Sequence, residues 1–272
     1  MEPRRLAPTN LLFRRGADLP DNRVGGIEGG VQPGLLTIKP PLIVGEHVMF
    51  LSAFKEKGLH DPLHQHDDHE SIGFQLKGRQ RVLIDGQEFL AEEGDAWYHP
   101  AGVIHMSEAL EDTIQLEMKS PPMRTWGDVE PSGPLDEGAW VRAVDASGRR
   151  VTLMHGSFTD ASATPAEDAS RVEGIGGDGA TRITPLVVGR DIMLSSVVRE
   201  RGAMDPLHQH DDCEEIGYCI SGRLRLTIDG EVFEAGPGDS WYHPRGVAHF
   251  TEALEESVSL LVTSPPTRSW GE

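Results

Sequence analysis

GLHDPLHQHDDHESIGFQLKG at residues 58–78 returns as GAMDPLHQHDDCEEIGYCISG at residues 202–222, and this repetition decides how the chain is built. The offset from His64 to His208 is 144 residues, and it also carries EGDAWYHPAGVIH onto PGDSWYHPRGVAH and SPPMRTWGD onto SPPTRSWGE. Between Gly58 and Asp128 about 40 of the 71 positions are identical to their counterparts, with no insertion. A match of that length marks one structural unit used twice. Extended backward, the units run over 37–128 and 181–272, with an irregular segment at 1–36 and a Pro, Gly, Ser, Ala and Asp rich linker at 129–180, whose middle has room for one or two strands.

Inside each unit the chain alternates short apolar runs with turns, as in HVMFLSAF, SIGFQLKG and RVLIDGQEFLA, and none carries a helical apolar stripe. Asp85-Gly86 and Asp229-Gly230 sit between β-branched and aromatic residues, the pattern of a two-residue hairpin turn. With 31 glycines and 19 prolines in 272 residues, the expected fold class is all-β, a pair of antiparallel sandwiches or barrels.

A formal charge of −19 repels phosphate backbones and anionic membrane surfaces, so no nucleic acid and no membrane is expected as a partner. The N-terminus lacks the apolar core of a signal peptide, and the two cysteines, Cys213 and Cys219, make no disulfide framework. A cytoplasmic protein is expected.

His64 and His66, and likewise His208 and His210, are two apart in extended stretches, so each pair faces one side and can converge on one ion. Neutral imidazole suits iron, zinc, nickel and copper, and a neighbouring carboxylate adds a ligand and offsets charge. Glu214 and Glu215 are at hand in the second repeat.

Here the residues resemble the cupin superfamily, and its tandem bicupins in particular. Gly202, His208, His210, Glu215 and Gly222 match the first cupin motif, and Gly238, Pro244, Gly246 and His249 match the second. Gly58, His64 and His66, then Gly94, Pro100, Gly102 and His105, match in the first repeat. The resemblance implies two double-stranded β-helix (jelly-roll) barrels with metal inside, held in the second by His208, His210, Glu215 and His249. The first repeat departs from the pattern, because Ser71 stands at the Glu215 position. There His64, His66 and His105 bind an ion with Glu70 reaching around, or as three histidines, or not at all.

The implied cofactor is a divalent transition metal, iron first, with zinc, nickel or manganese as alternatives. The leading expectation is a dioxygenase-type oxidoreductase acting on a small organic substrate, with Glu215 also available for catalysis. A non-redox isomerase, lyase or cyclase using Glu215 or Glu214 as proton carrier, and a non-catalytic binder or sensor, are the alternatives. A homodimer is implied by the resemblance alone. Strand parity places Gln75 and Cys219 on the ligand face and puts His99 and His243 off it. His47, His60 and His155 are expected at the surface, and the Asp67-Asp68 and Asp211-Asp212 pairs in exposed turns. Trp126 and Trp270 are read as interface or lid residues.

Overall fold

The computed structural model describes residues 4–136, 158–159, 166–168 and 176–267. Among them there is no α-helix, only a 3-10 turn at Gly16–Asp18, and no helix long and apolar enough to cross a membrane. All strand pairs are antiparallel and fall into four sheets, two to each repeat.

In the first repeat a large sheet orders the strands Ala96–His99, Glu70–Lys77, Thr113–Ser120, Met49–Lys55, Gly30–Ile38 and Asn22–Ile27. It faces a five-stranded sheet built on Leu63–His64, His105–Ala109, Gln80–Ile84 and Gln87–Ala91. The second repeat reproduces this with Ser240–His243, Glu214–Ser221, Ser257–Ser264 and Met193–Arg199 facing Ala203–Met204, His249–Ala253, Leu224–Ile228 and Glu231–Ala235. The result is a pair of jelly-roll barrels.

The Asp-Gly turns are formed as the sequence predicts. Asp85 and Gly86 have φ of 50° and 75°, and Asp229 and Gly230 have 51° and 79°, the two positive values that a hairpin matching the right-handed strand twist requires. A third turn of this kind, at Glu28 and Gly29 (49° and 76°), joins Asn22–Ile27 to Gly30–Ile38. The segment expected to be irregular therefore supplies a hairpin to the first barrel's large sheet. Its signal is weak because glutamate, unlike asparagine, gains no local hydrogen bond that favours the left-handed conformation.

The barrels also exchange edges. Phe13–Arg14, ahead of the first repeat, pairs with Ser240–His243 of the second barrel, and Phe158–Thr159, ahead of the second repeat, pairs with Ala96–His99 of the first. The linker's described strands thus cover an edge that would otherwise stand open.

One apolar cluster joins the two large sheets back to back, with Phe50, Ile72, Leu116 and Met118 from one barrel against Ile216, Tyr218, Leu260 and Val262 from the other. Phe50 and Tyr218 stack with centroids 5.4 Å apart. Inside each barrel a tryptophan lies against a glycine of the neighbouring strand. A Cβ on Gly73 would sit 2.1 Å from Trp97, and one on Gly217 would sit 2.0 Å from Trp241, so only glycine fits either position. Trp126 packs on the first barrel's core and under Lys119, while Trp270 and His155 lie outside the described residues.

Candidate metal centre

Antiparallel register brings the sequence-distant histidines together. His105 is the cross-strand partner of His64, and His208 bridges to His249 in the same way, so each His-x-His pair meets the third histidine on one face. Potential ligand atoms of His64, His66 and His105 all lie within 4.8 Å of one another, as do those of His208, His210 and His249, and those of Glu215, His243 and His249.

The rings are held by the backbone. Nδ1 of His64 lies 2.7 Å from the carbonyl of Pro62 and Nδ1 of His105 lies 2.8 Å from that of Val103. In the second barrel Nδ1 of His208 lies 2.7 Å from the Pro206 carbonyl and Nδ1 of His249 lies 2.9 Å from that of Val247. A carbonyl can only accept, so these Nδ1 atoms carry the proton and each Nε2 keeps its lone pair. Burial, reinforced by neighbouring imidazoles, holds His66 and His105 well below the ordinary histidine range, and burial beside His243 brings His249 down to about 3. These rings are neutral at physiological pH, the state in which imidazole binds a cation.

Glu215 and Glu214 are consecutive on one strand and so point to opposite faces. Glu215 turns inward, its Oε1 2.8 Å from Nδ1 of His243. Burial acts to raise its pKa, but the hydrogen bond and charge of His243, with His249 and His210, bring it down to about 2. Glu214 turns to the other barrel, where its carboxylate accepts from the backbone N–H of Glu46 (2.9 Å), His47 (2.6 Å) and Val48 (2.8 Å) and from the Tyr242 hydroxyl (2.6 Å). It has no place in the cluster.

Glu70, named from sequence as a ligand reaching around Ser71, is the counterpart of Glu214 and behaves alike. It accepts from the N–H of Arg190 (3.1 Å) and Asp191 (2.6 Å) in the second barrel and from the Tyr98 hydroxyl. The alternation that sends Ser71 inward sends Glu70 out, so it is corrected from ligand to inter-barrel contact.

His99 and His243, placed by parity off the ligand face, are buried within it. His99 stacks on His105 with centroids 3.8 Å apart and lies 3.3 Å from Ser71 Oγ, and His243 stacks on His249 at 3.7 Å. Counting along one strand could not reveal this, because the deciding relation is across strands: His99 pairs with Ser71 and His243 with Glu215. Gln75 and Cys219 do face inward, yet neither joins the cluster. Gln75 accepts from Gln80 at 2.7 Å, and Cys219 packs in the second barrel's core. His47 and Asp211-Asp212 are exposed and His60 is half-buried. Asp68 is half-buried, ion-paired to Arg4 and hydrogen-bonded to His69, which is itself buried.

The first barrel's cavity, about 40 Å³, has room for little more than one or two water molecules. His64, His66, His99 and His105 line it with Asp61 and Lys55. Burial would raise the Asp61 carboxyl, but Lys55 at 2.5 Å and Ser107 hold it below the usual range.

The four buried histidines that line this cavity, His64, His66, His99 and His105, and His69 beside His66 all have lowered pKa values, principally through burial. The unfolded chain takes protons on these groups near pH 6.5, while the folded protein resists, down to about 3 for His99. Unfolded protein therefore binds more protons in that window, and metal-free protein is expected to lose stability as pH falls from 7 to 5. Thermal melting across that range checks it, and a melting temperature that does not fall would contradict the neutral cluster.

A model of the Cupin domain matches residues 50–118 and 196–264. Oxalate decarboxylase of Bacillus subtilis strain 168 is 28% identical over 113 residues, covering 40% of this chain and 29% of that protein. Quercetin 2,3-dioxygenase of the same organism is 24% identical over 222 residues, covering 71% of this chain and 66% of that protein. The chain thus aligns with under a third of the decarboxylase and about two thirds of the dioxygenase. In fold, it matches the formate complex of Lactobacillus farciminis oxalate decarboxylase with a TM-score of 0.69 at 15% identity, over 98% of this chain and 89% of that one.

Proposed function

The chain belongs to the cupin domain family, with one matched segment in each barrel, and from that premise we propose that it is a metal-dependent enzyme whose chemistry on a small organic substrate takes place in the second barrel. The observation that carries this reading is the donor set. Three imidazoles, two of them backbone-locked, offer donor atoms within 4.8 Å of one another, and an ionised carboxylate, Glu215, lies within the same distance of one of them, His249. His208, His210, Glu215 and His249 would hold the ion, and His64, His66 and His105 a second one in the first barrel. A bound divalent metal supplies Lewis-acid polarisation or, as iron, one-electron redox chemistry.

The protein's own residues then have separable tasks. Pro206 and Val247 carbonyls fix the tautomers of His208 and His249. His243 holds Glu215 in place from behind. A carboxyl near 2 is a weak base at neutral pH, so Glu215 serves better as a ligand than as a proton carrier.

For the reaction, the first reading is an oxygen-using dioxygenase, supported by similarity to quercetin 2,3-dioxygenase over 71% of this chain. A second reading, oxygen-independent cleavage of a small carboxylic acid, is supported by similarity to oxalate decarboxylase over 40% of this chain. Iron-loaded and manganese-loaded protein should be presented with flavonols, catechols, dicarbonyls and small dicarboxylic acids, with and without oxygen. Oxygen uptake that Glu215→Ala abolishes supports the first reading. Oxygen-independent release of carbon dioxide transfers it to the second, and binding without turnover across the panel overturns both.

A further inference from the structure

The first barrel lacks its motif carboxylate, yet a carboxylate lies against its histidines from an unexpected direction. Glu28 sits at the tip of the Asn22–Ile27 and Gly30–Ile38 hairpin, fully buried, with Oε1 3.0 Å from Nδ1 of His66. Arg4 reaches the same oxygen at 2.6 Å, and the Ser132 N–H donates to Oε2 at 3.2 Å. Three segments remote in sequence thus converge to hold one acid in place. The position is unfavourable on two counts. A left-handed residue in a two-residue turn is best served by asparagine, aspartate or glycine, and a carboxylate taken out of water is costly, a cost that the Arg4 ion pair offsets in part. Of the three histidines, His66 is also the one whose buried Nδ1 makes no hydrogen bond, and Glu28 Oε1, 3.0 Å away, would accept one on a small turn of the ring.

We propose that Glu28 is the positioning acid of the first barrel's metal centre, supplying from the N-terminal hairpin the negative charge that Ser71 does not and orienting His66 so that its Nε2 faces the ion. The inference rests on the reading of His64, His66 and His105 as an ion site. It makes the hairpin a working part of the first barrel. A carboxylate behind a ligand histidine fixes the tautomer and raises the ring's basicity, and loss of such a partner weakens metal binding roughly 10- to 100-fold.

The test uses the full chain carrying His208→Ala/His210→Ala, so that the first barrel's three histidines are the intact ligand set, stripped of metal and titrated with cobalt(II) chloride. Ligand-field absorption reports both affinity and coordination. Adding Glu28→Gln is expected to weaken cobalt binding by that factor and shift the absorption. Adding Ser71→Glu as well, opposite His99 as Glu215 is opposite His243, is expected to restore much of the affinity. Glu28→Asp, which keeps charge and turn but draws the carboxylate back by one methylene, is expected to fall between and covers the case of a poorly folded Gln variant. Unchanged affinity and spectrum in both Glu28 variants overturns the role of Glu28. Absence of cobalt binding before Glu28 is touched overturns the ion site on which the inference rests.

Discussion

Replacing His208 and His210 together by alanine is expected to remove the second barrel's metal equivalent and to lower any metal-dependent activity by more than about 100-fold, since even a partner behind a ligand is worth 10- to 100-fold. The two side chains are half of the second barrel's donor set, and they reach it from one short stretch positioned by the His208–His249 bridge. The matching His64→Ala/His66→Ala change is expected to remove a separate equivalent and leave the second barrel's intact. Metal content per chain by mass spectrometry, on protein purified without a histidine tag, reads both results. Wild-type protein that stays metal-free after reconstitution would leave a binding protein on the same scaffold as the surviving alternative.

Glu214→Ala and Glu215→Ala, one residue apart, are expected to fail in opposite ways. Loss of the Glu214 carboxylate strands three backbone N–H groups of the first barrel and the Tyr242 hydroxyl. Hydrogen bonds to a charged acceptor contribute roughly 1.5–3 kcal/mol each, and partial solvation of this loop trims their sum, so a loss of roughly 3–5 kcal/mol follows. At about 2–4 °C per kcal/mol that is a fall in melting temperature of roughly 6–20 °C, with metal content unchanged. Glu215→Ala is expected to do the reverse, losing metal affinity while the barrels remain joined. Differential scanning calorimetry and metal analysis on the same two samples decide the matter. A Glu214 variant that loses metal without loss of stability would mean that the two faces have been assigned the wrong way round.

The structure gives this pair its meaning through a reciprocal arrangement. Glu70 of the first barrel binds the loop at Arg190 and Asp191 of the second, and Glu214 of the second binds the loop at Glu46 to Val48 of the first. Each barrel thus sets one carboxylate in the other's loop, beside the shared apolar cluster. The motif repeats two acids at these positions, Glu70 and Glu214, for a contact between barrels, and only one, Glu215, for chemistry.

Much of this could be read from the chain, because it depends on local relations. The offset of 144 residues fixed two like units, Asp-Gly pairs fixed two hairpin turns, and alternation fixed the common face of each His-x-His pair. Alternation set Glu70 one position off the face of Ser71, yet Glu70 as a ligand and Glu214 as a proton carrier both stayed open on sequence alone. The tertiary structure decided what depends on which strands become neighbours. His99 and His243 entered the clusters through cross-strand register, Phe13–Arg14 and Phe158–Thr159 crossed to the opposite barrel, and Glu28 arrived at His66 from a hairpin that sequence left irregular. Side-chain direction is set residue by residue along a strand, whereas its pairing partners are chosen by closing long loops over a common core, and that choice leaves no periodic mark on the sequence.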